Sequence, residues 1–143
     1  MSDDCIFCQI IDGDIPSRTV YEDEDVFAFL DVNPLARGHT LVIPKAHHER
    51  VTDLPPEAGS SLFTTIYELA GPIEAAVDAD GSTIGINNGT AAGQEVPHVH
   101  GHIVPRFEDD GGGSIHGVFT DTATLDDEEL DTIAAVIVDR LRD

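Results

Sequence analysis

The sequence predicts an α+β fold: a mostly antiparallel five-stranded sheet carrying one long helix and a C-terminal helix. Three observations predict it. Short apolar runs and period-two segments outnumber segments with helical periodicity. The strands follow one another without the strand–helix–strand alternation that a parallel sheet requires. Two stretches, about 53–78 and from 124 onward, place apolar residues at helical spacing. At 143 residues the chain is expected to form a single domain over 1–143, of which 110–143 is an acidic, glycine-rich loop plus the terminal helix. No internal repeat or low-complexity linker divides it.

In chain order, residues 5–11 (CIFCQII) read as a short helix. TVYEDEDVFAFLD reads as a hairpin: a short strand near Val20, an acidic turn, then Val26 to Asp31. Asn33-Pro34 and Arg37-Gly38 mark the connection to a strand from His39 to Pro44. Asp53 is expected to N-cap the long helix, with Pro55 and Pro56 in its first turn. Leu62, Ile66, Leu69, Ile73 and Val77 recur along that helix to about Asp78, and Pro72 is expected to bend it. STIGINNG reads as a strand ending in a turn, and Val96 to Val104 as the next strand. The loop EDDGGGSIHG follows, with His116 expected in solvent. Thr124 then caps a last helix whose Leu130, Ile133, Ile137 and Leu141 share one face.

Charge narrows the partners. There are 28 acidic residues against seven basic ones, a net charge of −21, and Lys45 is the one lysine. Such a chain is not expected to bind nucleic acid or an anionic membrane. The acids are dispersed rather than gathered in a tail, as expected of a halophilic protein held in a salt-rich cytoplasm, where self-repulsion is screened over ~3 Å. No window reaches the ~18 apolar residues of a membrane span. The start, MSDDCIFCQI, lacks the basic region of a secretory signal, so a cytoplasmic location is expected.

Two motifs carry the chemistry. Cys5 and Cys8 form a CxxC pair, readable as a redox dithiol, half of a metal site or two buried small residues. Its place at the start of the chain, outside any strand–helix unit, weakens the redox reading. PHVHGHIVPR sets His98, His100 and His102 at every second position. In a strand their rings leave one face at ~6.6–6.8 Å spacing, with Val99, Gly101 and Ile103 on the other. A solvated surface strand or a metallohydrolase centre is open to the same spacing. Upstream, INNGTAAGQEV offers amide side chains and glycines that let backbone N–H groups approach a ligand, which favours an anion such as phosphate beside the imidazoles.

GQEVPHVHGHIVPR resembles the signature of the histidine triad superfamily, in which His-φ-His-φ-His-φ-φ follows a Gly-Gln pair. CIFCQII, AFLDVNPLARGHTLVIPKAHH and INNGTAAGQEV resemble further segments of its Hint-like members, so the likeness runs over roughly 5–107. Gly101 departs from it, standing where an apolar side chain is usual.

The resemblance implies a fold, an activity and roles for residues. It implies a homodimer that joins two sheets into one. It implies a nucleotide hydrolase or nucleotidyl transferase acting at the α-phosphate of nucleoside phosphoramidates or dinucleoside polyphosphates, adenosine monophosphate derivatives first among them. His100 would be the nucleophile and form a nucleotidyl-histidine. His102 would contact phosphoryl oxygens or the leaving group, and His39 and His98 would complete the catalytic set. Asn87, Gly93 and Gln94 would lie on the phosphate side. Glu95 stands where some members have a leaving-group serine. Asp31 would meet the ribose, and Phe27, Phe29 and Ile10 the base. Cys5, Cys8, His47 and His98 would hold a structural zinc ion, with His48 the rival of His47, and no organic cofactor is implied. A non-catalytic nucleotide-binding regulatory module and a metal-dependent phosphohydrolase are the alternatives. Closure of the loop at 109–117 over substrate is left open.

Overall fold

The computed structural model describes residues 4–142. Its elements are α1 (Ile6–Ile11), β1 (Thr19–Glu22), β2 (Val26–Leu30), β3 (Thr40–Pro44), α2 (Pro56–Val77), β4 (Gly81–Gly85), β5 (Gly101–Arg106) and α3 (Asp127–Leu141), with single 3-10 turns at Val51–Asp53, Thr90–Ala92 and Ile115–Val118. The five strands form one sheet in the order β1-β2-β3-β5-β4, and every pairing is antiparallel. The α+β class and the five-stranded sheet expected from the sequence are those observed. By internal packing the chain divides into two compact units, residues 1–112 and 113–143. The sheet, α1 and α2 belong to the first.

The sheet is covered on both faces, which explains why VFAFL and TLVIP are continuous apolar runs rather than alternating ones. On one face Val26, Ala28, Val42, Val99 and Ile103 pack with Leu62, Ile66 and Ile73 of α2. On the other, Phe27, Phe29, Leu41 and Ile43 pack with Cys5, Phe7 and Cys8 around α1. Each fully buried aliphatic side chain contributes ~1.5–3 kcal/mol relative to exposure. Gly101 pairs with Val42 on the α2 face. A Cβ there would stand 2.7 Å from Ile66 Cδ1, so the side chain usual at this position is replaced by Ile66 reaching in from the helix.

Three boundaries differ from those expected by two residues or more. β5 starts at Gly101, not Val96. Continuing the β3–β5 register would set Val99 opposite Pro44, whose nitrogen has no hydrogen to donate, so the ladder stops there. The Val99 N–H instead bonds the His48 carbonyl at 2.8 Å. The N-cap of α2 is Pro55, with Pro56 in the first turn; Asp53 closes the preceding 3-10 turn, where its carboxylate accepts the Arg50 N–H. α2 runs unbroken through Pro72. α3 is capped by Asp126, whose carboxylate accepts the Glu129 N–H at 2.8 Å while Glu129 returns the bond, so the cap lies two residues beyond Thr124. The apolar residues of α3 are exposed, Ile133 at 45% and Leu141 at 78%. No helix among the described residues is long and apolar enough to cross a membrane.

Candidate active site

The histidine segment keeps its alternation even where the ladder is absent. Val99, Gly101 and Ile103 lie buried toward α2, and His102 pairs with Leu41, whose side chain belongs to the α1 face. The rings of His100 and His102 lie 5.1 Å apart, and those of His102 and His39 5.2 Å apart. His98 turns away from this group toward His47, with centroids 5.0 Å apart.

Hydrogen bonds settle which nitrogen of each ring holds a proton, because a carbonyl only accepts and a backbone N–H only donates. His100 Nδ1 lies 2.8 Å from the His98 carbonyl, so Nδ1 carries the hydrogen and Nε2 of the neutral ring presents a lone pair. His39 Nδ1 accepts the Leu35 N–H at 3.0 Å, so its hydrogen is on Nε2. That Nε2–H faces His102 Nδ1 at 3.0 Å and makes it an acceptor, which leaves the His102 hydrogen on Nε2. His102 Nε2 is buried without a partner among the described residues. A buried orphan donor costs ~1–3 kcal/mol unless a ligand meets it. The site therefore sets a bare imidazole nitrogen on His100 beside a donor on His102.

Burial reinforces the neutral state. It pushes the pKa of His102 down to about 4, with His100 and His39 adding to the effect. His39 is lowered by burial against the opposing pull of Asp31. Asp31 Oδ2 lies 3.7 Å from His39 Nδ1, an electrostatic contact rather than a hydrogen bond, since that nitrogen is occupied by Leu35.

The second cluster gathers Cys5, Cys8, His47 and His98. His98 Nε2 donates to the Pro44 carbonyl at 2.8 Å, which leaves Nδ1 bare and aimed at the thiols. Its Nδ1 lies 3.3 Å from Cys5 Sγ, 3.6 Å from Cys8 Sγ and 3.2 Å from His47 Nδ1, and Cys8 Sγ lies 3.3 Å from His47 Nδ1. A tetrahedral zinc ion with Zn–N of ~2.0–2.1 Å and Zn–S of ~2.3 Å has ligand edges of roughly 3.3–3.8 Å. The donor set fits that ion. Burial and the neighbouring Cys5 push the Cys8 thiol up to about 12, so without a cation it stays a thiol and lacks the low pKa of a redox-active cysteine. His48 is not in the cluster; its carbonyl holds Val99.

The loop before the histidines is bound mostly to itself. Gln94 donates both amide hydrogens to backbone, to the Glu49 and Val96 carbonyls, and accepts the Gly89 N–H. It braces the loop, and no hydrogen of its amide is left for phosphate. The Gly93 and Gln94 N–H groups close the turn on Thr90 and Gly89. Asn87 and Glu95 are exposed. Asp31 is half-buried and accepts the Asn33 N–H at 2.9 Å. Phe27 and Phe29 are buried in the α1-side core, with Ile10 partly buried against it.

Sequence reasoning missed Phe7, the Leu35 amide and the Pro44 carbonyl. Phe7 sets its ring edgewise against Phe29, His98 and His100, with centroids 5.6, 5.9 and 5.1 Å away. The signal for Phe7 was its place between two cysteines of one helical turn, which carries it wherever the thiols dock. Backbone partners leave no such signal.

Residues 12–109 match the HIT domain family. The protein named hit of Bacillus subtilis is 43% identical over 141 residues, covering 98% of this chain and 96% of its own. An adenosine 5'-monophosphoramidase of Saccharomyces cerevisiae is 40% identical over 108 residues, covering 76% of this chain and 66% of its own. A crystal structure of a HIT family member from Bacillus subtilis superposes with a TM-score of 0.86 at 42% identity, covering 96% of this chain and 97% of that one. A zinc-bound histidine triad family protein from Mycobacterium smegmatis superposes with a TM-score of 0.71 at 44% identity, covering 75% and 78%. With the family match spanning residues 12–109, well over half of its length, the chain belongs to the HIT domain family.

Proposed function

We propose that this chain is a nucleotide hydrolase or nucleotidyl transferase that cleaves at the α-phosphate through a nucleotidyl-His100 intermediate. The observation that carries the reading is the pair of rings 5.1 Å apart, one with a bare Nε2 and the other with an orphan Nε2–H. A neutral imidazole is a competent nucleophile without a separate base. As the nitrogen bonds phosphorus, the ring gains positive charge, and its Nδ1–H bond to the His98 carbonyl strengthens. His102 donates to the phosphoryl oxygens. Water then displaces the histidine.

The relative named as an adenosine 5'-monophosphoramidase supports an adenosine monophosphate derivative as substrate. Asp31 serves the ribose, and Ile10 with the rims of Phe27 and Phe29 the base. Asn87 and the Glu95 N–H, which has no partner among the described residues, remain on the phosphate side. Cys5, Cys8, His47 and His98 would hold zinc, and the zinc-bound relative supports that assignment. Four protein ligands would make such an ion a cross-link between α1 and the catalytic segment. His98 thereby serves catalysis through its carbonyl.

The test is a rapid quench with substrate labelled at the α-phosphate. An acid-labile label on the wild-type protein that vanishes in His100→Ala is expected. A wild-type chain that turns over with no such label overturns the covalent route.

A further inference from the structure

We infer that Arg50 supplies the positive charge of the phosphate site: its guanidinium, laid on Gly89, receives the anionic phosphoryl group of the nucleotide and distinguishes a phosphate-bearing ligand from the bare nucleoside. This role rests on the reading that a nucleotide binds beside His100, and it names the residue that meets the charge of that ligand.

The groups assigned to the phosphate so far carry no positive charge. Burial lowers the pKa of His102 and of His39, so both rings are neutral at pH 7. Gln94 gives both amide hydrogens to backbone carbonyls. Asn87 and the Glu95 N–H are uncharged donors. A phosphate ester is an anion, and the chain that must attract it has a net charge of −21. Neutral donors alone leave that repulsion without a local counterweight.

Arg50 stands where that charge is missing. Three hydrogen bonds rivet residues 48–51 to the loop that leads into the histidines. The Val99 N–H donates to the His48 carbonyl at 2.8 Å, Gln94 Nε2 to the Glu49 carbonyl at 2.6 Å, and the Val51 N–H to Asn88 Oδ1 at 2.8 Å. Arg50 is extended, with φ −126° and ψ 152°. Successive side chains of an extended segment leave on opposite sides. Val51 packs with the core beside α2, so Arg50 leaves on the side to which His100 and His102 project. Its guanidinium rests on Gly89, where a Cβ would stand 2.8 Å from Nη2 and 3.1 Å from Cζ. Gly89 thus serves twice: its φ is +92°, and it leaves bare the spot that the guanidinium covers.

The charge is also uncommitted. Lys45 pairs with Glu22 at 2.7 Å, and Arg106 with Asp110 at 2.8 Å. No ion pair of this kind holds the Arg50 guanidinium among the described residues. The Asp53 carboxylate accepts the backbone N–H of Arg50 instead. Acidic residues number 28 against seven Lys and Arg, and this exposed arginine is left without a carboxylate on the loop that borders the site. A guanidinium presents parallel N–H donors that match two oxygens of one phosphate.

Titration calorimetry of the intact protein with adenosine 5'-monophosphate and with adenosine tests this role without turnover. Arg50→Gln is expected to weaken binding of the monophosphate by about 10- to 100-fold, the worth of a hydrogen bond to a charged group. The same variant is expected to leave adenosine binding and the ligand-free melting temperature unchanged. Arg50→Lys keeps the charge without the fork and is expected to lose less, again for the monophosphate alone. Should Arg50→Gln fail to fold, Arg50→Lys is read by the same contrast. Equal losses for both ligands would make Arg50 a brace of the loop and overturn the inference. So would an Arg50→Gln protein that binds the monophosphate as the wild type does, and that result leaves the nucleotide reading standing. A wild-type protein that does not bind the monophosphate overturns both.

Discussion

A carbonyl oxygen 2.8 Å from one imidazole nitrogen decides which nitrogen of His100 is left bare. The same kind of decision, made by the Leu35 amide two rings away, sets His102. At this scale acid pH should undo the protein. His39 and His102 have folded pKa values below the ordinary ~6.5 of histidine, that of His102 near 4. Between those values the unfolded chain binds more protons, so their contribution is fully present above pH ~6.5 and is lost as pH falls toward 4. The urea midpoint, measured with chelator present, is expected to drop across that window, and His102→Gln to flatten the drop. Gly101→Val is expected to lose roughly 1–3 kcal/mol in denaturant titration, because its side chain collides with Ile66, and Ile66→Ala should recover part of it. Placement was legible where side chains meet: the Cys5, Cys8, His47 and His98 cluster and the neighbouring rings of His100 and His102 sit on positions the motifs name. It was illegible where backbone makes the contact, since Leu35 and Pro44 act through groups every residue shares. Gln94 was readable as a site residue, but its saturation by three backbone bonds is a property of the folded loop.

At the scale of elements, α1 is six residues long, and an isolated helix of that length would not persist in water. Phe7, Cys5 and Cys8 fasten it to the sheet against His98, so the cluster and His100 share one support. Zinc removal by chelation is expected to lower the melting temperature, with the sheet's circular dichroism retained below the transition. His47→Ala should abolish metal binding measured by mass spectrometry, and His48→Ala should leave it intact. Elements themselves were legible in type and order, because apolar runs reveal strands and 3.6-residue spacing reveals helices. Their ends were less so. β5 was expected from Val96 because period-two patterning continues through His98 and His100; the ladder's end depends on Pro44, a residue far earlier in the chain that would stand opposite Val99. The two helix caps were misplaced by two residues each, Asp53 for Pro55 and Thr124 for Asp126, where neighbouring candidates compete for one position.

For the molecule as a whole, a charge of −21 on 143 residues makes self-repulsion a term of consequence. Raising salt from 0.1 M to 1 M shortens the screening length from ~10 Å to ~3 Å. The melting temperature is expected to climb over that range in potassium chloride, and a flat response would remove the halophilic reading. The sheet ends in β4 as an edge, and exposed Ile84 on it shares an apolar hollow with Phe63 of α2. Light scattering is expected to return twice the chain mass, and Ile84→Lys to return the single mass. Under the proposed reaction the Nε2–H of His102, without a partner among the described residues, would meet the phosphoryl oxygens of the product as well as those of the substrate. Added nucleoside monophosphate is therefore expected to slow turnover.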